Sequence, residues 1–270
     1  MVEVTPCKIN LGLNILGLRS DGYHEISTIM YPIRALADVV ELQKSQAADN
    51  EFSQSGLVVE CPPSQNICMR ALRLMQLRYG VGCGRIHLHK QVPMGAGLGG
   101  GSANGVAVMS MCNKMWSLGL NETQMESLAA EIGSDTPFFV HPRPTWAQGR
   151  GERLTTVELC LEGYYIYMVK PDIGVSTAQA YAGITTHQNG PESVAQIVNR
   201  PVEQWRGRLK NDFEESVFAR LPLLGLLKEQ LYASGAIYSS LSGSGSTVYG
   251  LFREPPVGLH FPYFTHTERL

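Results

Sequence analysis

No Gly-Lys pair occurs anywhere in the 270 residues, and neither H-R-D nor D-F-G appears. The first absence excludes the phosphate loop that ends in G-K-[ST], and the others exclude the protein-kinase signature set. The six cysteines (Cys7, Cys61, Cys68, Cys83, Cys112 and Cys160) form no C-x-x-C and have no His pair at ligand spacing beside them. That argues against a zinc site and against a secreted disulfide framework, so most are expected to be buried thiols acting as small hydrophobes. No apolar run is long enough to span a bilayer, and the start MVEVTPCKINLGL lacks the basic segment and cleavage site of a signal peptide. A cytoplasmic location without a membrane partner is the expectation. With 22 basic against 24 acidic residues the net charge is −2, leaving no global field to collect nucleic acid or anionic lipid. Any anionic ligand must therefore be held by a local site. Hydrophobic content of 44% and charged content of 17% are globular values, and the length favours two moderate domains over one large one.

What is present is punctuated by glycine. Ile9, Leu11, Leu13 and Ile15 alternate with Asn10, Gly12 and Asn14, a period of two that predicts a half-buried strand. The turn Ser20-Asp21-Gly22 and the apolar, β-branched run Tyr23 to Ile33 complete an N-terminal hairpin. Asn66 can cap a helix that Gly80 closes, and Arg85 to Lys90 alternates again as a strand. Val106 to Leu118 and Asn121 to Ile132 read as helices, the second followed by the turn Gly133-Ser134-Asp135-Thr136-Pro137. Past Gly149-Arg150-Gly151-Glu152 the texture changes. Tyr164 to Val169 is a strand, Ser193 to Arg208 and Phe213 to Leu231 are helices, the second interrupted by Pro222, and Ile237 to Phe252 is a strand pair. The tail from Glu254 to Leu270 reads as irregular. A soft domain boundary falls near residue 160.

Pro93-Met94-Gly95-Ala96-Gly97-Leu98-Gly99-Gly100-Gly101-Ser102-Ala103 sits between the Arg85 strand and a helix. A glycine run there offers free N–H groups and the positive end of a helix dipole to an anion. Gly95, Gly97 and Gly100 also match the spacing of the dinucleotide fingerprint, but the preceding strand alternates and ends in Pro93, and no acidic residue follows at ribose distance. The remaining plain alternative is a glycine-dense surface turn.

This loop resembles the phosphate-binding motif of the GHMP kinases, small-molecule kinases named for galactose, homoserine, mevalonate and phosphomevalonate. Lys8-Ile9-Asn10-Leu11 and Ser242-Gly243-Ser244-Gly245-Ser246 are similar to that family's first and third motifs. Asp21-Gly22-Tyr23-His24-Glu25, Gly133 to Phe139 and Asn211-Asp212-Phe213-Glu214 resemble the branch that acts on a cytidine diphosphate polyol. The likeness spans residues 4 to 252 and is weakest over 43–62 and 183–205. It implies an α+β fold of two domains, each a two-layer α/β sandwich, with residues 1–160 binding ATP, residues 161–270 forming the C-terminal domain, and the active site in the cleft between them. It implies ATP and Mg²⁺ as cofactors and no nucleic acid; a monomer or weak homodimer is expected.

The resemblance also assigns roles. Asp135 becomes the general base and Lys8 its electrostatic partner, where plain readings are a turn aspartate and a solvated edge lysine. Pro93 to Ala103 becomes the ATP-phosphate loop, with Asn66 and Lys90 on the adenine and ribose side; a helix cap and a strand-end lysine are the alternatives. Asn10, Tyr23, His24 and Tyr181 become substrate ligands, with Tyr23 stacking on cytosine, Tyr181 covering its opposite face and His24 meeting the base edge largely through its backbone, against a bland reading as strand polarity, cross-strand packing and a surface histidine. Ser102 is the candidate metal ligand. The family usually carries two serines after the glycines, and here the second is Ala103. Other readings are a homoserine or mevalonate type of the same family, a non-catalytic ligand-binding relative and, more remotely, a nicotinamide dehydrogenase.

Overall fold

The computed structural model describes residues 1–59, 61–184 and 192–270. Internal contacts divide the chain into two units that interleave in sequence: Met1–Lys8, Pro32–Met94 and Gly99–Pro142 in the first, Ile9–Tyr31, Gly95–Leu98 and Arg143–Leu270 in the second. A single cut near residue 160 is thus not how the contacts partition. The reason lies in two long strands, β1 (Val2–Leu18) and β2 (His24–Lys44), each of which contributes one part to each unit.

In the first unit, the end of β2 pairs antiparallel with β4 (Gly84–Lys90), and β3 (Glu51–Gly56) lies parallel to β4 on its other side. Val40 and Leu42 are fully buried while Glu41 and Gln43 are not, the alternation of a one-faced sheet. Helix α1 (Ile67–Tyr79) starts at Asn66, whose side chain accepts from the Cys68 N–H at 2.9 Å, and ends at Gly80. Helix α2 (Gly100–Met115) packs against α1 and against α3 (Glu122–Ile132). A reciprocal capping box between Asn121 and Gln124 opens α3. The α2 helix begins at Gly100, well ahead of the expected start at Val106, and ends at Met115. A Cβ at residue 100 would lie 2.9 Å from Val92 Cγ1 and 3.1 Å from Lys90 Nζ, so glycine there marks close packing inside a helix rather than a loop.

In the second unit the start of β2 pairs with β5 (Thr145–Gly149), which forms a hairpin with β6 (Arg153–Thr156). A separate antiparallel sheet has the order β10-β7-β9-β8, built from β7 (Tyr165–Lys170), β8 (Tyr238–Leu241), β9 (Val248–Phe252) and β10 (Phe264–Arg269). Among the described residues, four helices belong here, α4 (Thr177–Ala182), α5 (Val194–Val198), α6 (Phe213–Arg220) and α7 (Pro222–Ala233), with α7 packed on β8 and β9. Leu224, Leu227, Leu231, Leu241, Val248 and Val169 form the centre of this core. Pro222 stands at the first position of α7, where its missing N–H is harmless.

Two further expectations are corrected. The helix over Ser193 to Arg208 is only the five-residue α5 followed by a 3-10 turn at Val202–Gln204, because Pro201 disfavours helical geometry in the residue before it. The irregular tail contains β10, whose residues alternate between half-buried and exposed against β7. The mixed α and β architecture itself is as expected.

Candidate active site

Lys8 lies on β1 in the first unit with its side chain only 3% exposed, and its Nζ is 3.4 Å from Asp135 Oδ2. A buried ammonium needs a carboxylate partner, since an uncompensated charge there costs several kcal/mol, of order 3–5. The solvated edge lysine is therefore not what folds. Asp135 occupies the cap position of the 3-10 segment Thr136–Val140, yet its side chain makes no capping hydrogen bond. The carboxylate is held instead by Lys8 and remains 37% exposed, so it is ionically paired and still open to a reactant. Beside it the Thr136 hydroxyl is fully buried and has no hydrogen-bond partner.

The N-terminus of α2 is the second component of this unit. Gly99 caps it in the left-handed region with φ 70°, and the first helical bond runs from the Ala103 N–H to the Gly99 carbonyl at 3.1 Å. The N–H groups of the preceding turn have no helical acceptor. No acidic side chain lies in that turn, Lys90 Nζ borders Gly100, and the Lys8 Cε borders Gly99. Orphan donors and a helix dipole with no acidic side chain in the turn fit a polyphosphate such as that of ATP.

Lys90 is itself fixed by a residue that sequence reasoning passed over. Asp38 is fully buried on β2; its Oδ2 accepts from Lys90 Nζ, and its Oδ1 accepts from the N–H groups of Gln91 at 2.7 Å and Val92 at 2.8 Å. Within Ala37-Asp38-Val39 nothing local distinguishes it from any strand aspartate. Asn66 is buried and caps α1, the plain role available to it. Ala103 turns a buried methyl inward, and Ser102 at the intermediate exposure of the helix start is the hydroxyl next to the open N–H groups.

The second unit holds the other half of the glycine loop and the aromatics. Gly97, at φ 74°, lies so close to the Ser242–Ser246 loop that a Cβ would overlap the Ser242 carbonyl. Ser242 Oγ donates to the Gly97 carbonyl at 2.9 Å, and the Thr247 N–H to the Ala96 carbonyl at 3.2 Å. The two glycine loops are held together here by the Ser242 hydroxyl and the Thr247 main chain. Asn10 is buried, donating from Nδ2 to Thr28 Oγ1 at 3.0 Å, while its carbonyl accepts from the Tyr249 hydroxyl at 2.8 Å.

His24 and Tyr181 stack with ring centroids 4.4 Å apart and planes 13° from parallel, and Tyr181 meets Phe213 edge-on at 4.8 Å. No base fits between His24 and Tyr181, since an inserted ring needs about 3.5–4 Å on each side. They make one aromatic wall. Tyr23 is 52% exposed, with the Arg150 guanidinium 4.7 Å from its ring centroid.

Comparison with known proteins agrees with these features. The family model described as GHMP kinases N terminal domain matches residues 66–143, and that described as GHMP kinases C terminal matches residues 192–257. The chain belongs to the GHMP kinases, a family of small-molecule kinases. It is 43% identical over 255 residues to the 4-diphosphocytidyl-2-C-methyl-D-erythritol kinase of Bacteroides thetaiotaomicron, covering 93% of this chain and 92% of the relative. The enzyme of the same name in Azobacteroides pseudotrichonymphae is 42% identical over 260 residues, 96% of each chain. A crystal structure of 4-(cytidine 5'-diphospho)-2C-methyl-D-erythritol kinase superposes with a TM-score of 0.77 at 30% identity, over 93% of this chain and 90% of that one.

Proposed function

We propose that this chain transfers the γ-phosphoryl group of ATP to the 2-hydroxyl of 4-diphosphocytidyl-2-C-methyl-D-erythritol, a step in making isoprenoid precursors. The observation that carries the reading is the Lys8–Asp135 pair: a half-open carboxylate free of capping duty, held by a buried ammonium. Asp135 takes the proton of the acceptor hydroxyl, and Lys8 stabilises the charge that develops as the proton leaves. Bound ATP supplies the phosphoryl group, and Mg²⁺, a hard cation suited to oxygen ligands, neutralises its charge. Gly99 to Ser102 would cradle the phosphates with main-chain donors, Ser102 would offer a hydroxyl to the metal, and Asn66 and Lys90 would serve the nucleoside side. Asn10, Tyr23, His24 and Tyr181 receive the cytidine polyol. Homoserine and mevalonate present no base to an aromatic wall, which favours the cytidine substrate over the other acceptors of the family.

ADP release with Mg·ATP should be measured against the cytidine diphosphate polyol, mevalonate and homoserine in parallel. Turnover is expected with the first alone, and Asp135→Asn should lower kcat by about 10²–10⁴ while leaving ATP affinity within a few-fold. No turnover of the first substrate, or full activity in the variant, sinks the reading.

A further inference from the structure

Two turns of the second unit are joined by one carboxylate. Glu25 accepts from Arg19 Nη1 at 2.7 Å, from Arg153 and from the Gly149 N–H at 3.3 Å. It thereby ties the turn bearing Tyr23 to the β5–β6 turn bearing Arg150. Each turn is also braced internally: the Tyr23 N–H donates to Asp21 Oδ1 at 3.1 Å, and the Arg150 N–H to Glu152 Oε2 at 2.5 Å. Arg19 and Arg153 are neutralised by Asp21 and Glu25. Among the described residues Arg150 makes no ion pair; its guanidinium lies over the Tyr23 ring instead, 4.7 Å from the centroid.

We propose that Arg150 is a positioning residue for the cytidine end of the substrate. By covering one face of Tyr23 it fixes the ring and leaves the opposite face as the surface on which the pyrimidine stacks. A half-exposed tyrosine at a hairpin turn otherwise samples several rotamers, and ordering it on binding would weaken the complex. The guanidinium is suited to this because it is planar and weakly hydrated, so it stacks where an ammonium would stay in water. The inference rests on the cytidine reading above.

A double-mutant cycle tests it. Steady-state kinetics with the cytidine diphosphate polyol, and calorimetric titration with CDP alone, are carried out on wild type, Arg150→Gln, Tyr23→Leu and the double variant. Arg150→Gln should raise the polyol KM and the CDP Kd about two- to fivefold, with kcat and the KM for ATP unchanged. In the Tyr23→Leu background the same substitution should have no further effect. Unchanged CDP affinity in Arg150→Gln, a loss confined to kcat, or an equal loss with and without Tyr23 overturns the inference; the last would mean that Arg150 contacts the ligand directly. If wild type binds CDP yet fails to turn over the polyol, the proposed reaction falls while the CDP cycle still decides the role of Arg150.

Discussion

Lys8 and Lys90 are both buried ammonium groups with a carboxylate partner, and the partners differ in what else they do. Asp38 accepts from Lys90 and from two backbone N–H groups and has no exposed surface. With no exposed surface it is out of reach of a substrate hydroxyl and cannot take its proton. Asp135 has its salt bridge to Lys8 and more than a third of its side chain open. Removing Asp38 strands a buried cation and two donors, so Asp38→Ala is expected to destabilise the chain by about 3–5 kcal/mol in urea unfolding. Asp135→Asn also takes the carboxylate from the buried Lys8 ammonium, but it keeps an oxygen acceptor in the same place and strands no backbone donor, so its cost is expected to be smaller than that of Asp38→Ala. The two substitutions thus separate an aspartate that holds the fold from one placed for chemistry. Sequence pointed to Lys8, Lys90 and Asp135 only through motif resemblance; Asp38 carried no motif and became visible once β2 and β4 were paired.

At the scale of elements, the glycine loop divides its work between the two units. Gly97 is required by the approach of the Ser242–Ser246 loop, whereas nothing lies within 4 Å of where a Cβ at Gly95 would go. Both have positive φ, 74° and 58°. Gly95→Ala should therefore cost only the left-handed backbone penalty, roughly 1–2 kcal/mol. Gly97→Ala adds a main-chain overlap that no rotamer relieves, and its melting temperature is expected to fall well below that of Gly95→Ala; equal losses would count against the close approach. The Asn211-Asp212-Phe213-Glu214 segment belongs to the same scale. Asn211 Nδ2 donates to the carbonyls of Leu241 and Gly243, Asp212 Oδ2 accepts from the Ile15 N–H, and Glu214 Oε1 accepts from the Leu241 N–H. It is a bracket joining β1, β8 and α6. Helices α1, α3, α6 and α7 were legible because caps, periodicity and a proline mark them. Strand β3, with the polar run Glu51 to Gly56, was not, because main-chain pairing to β4 holds it rather than an apolar face.

Across the whole molecule the thiols report how much of the chain is closed to solvent. Cys7, Cys68 and Cys112 are buried, Cys61 and Cys83 are intermediate and Cys160 is exposed. Burial pushes both the Cys68 and the Cys112 thiols up to about 12, so at pH 8 they remain protonated and unreactive as well as inaccessible. The shift acts in one direction: thiolate is the reactive form, and raising the pKa removes it. Maleimide at pH 8 followed by mass spectrometry should label Cys160 in the native chain and leave Cys68 and Cys112 unmodified until denaturant is added. Labelling of either at the rate of Cys160 would contradict the described packing. The sequence by itself determined the mixed α and β class, most helix limits, the absence of the excluded nucleotide loops and, through its three ordered motifs, the family. These are properties of local periodicity, turn chemistry and spacing, which neighbouring residues decide among themselves. Tertiary structure alone decided that Asp135 is not consumed as a cap, that Asp38 rather than solvent holds Lys90, that β1 and β2 each serve two units, and that Arg150 covers Tyr23. Each of those depends on which distant backbone or charge arrives beside a side chain, and burial fixes the partner only once the chain has folded.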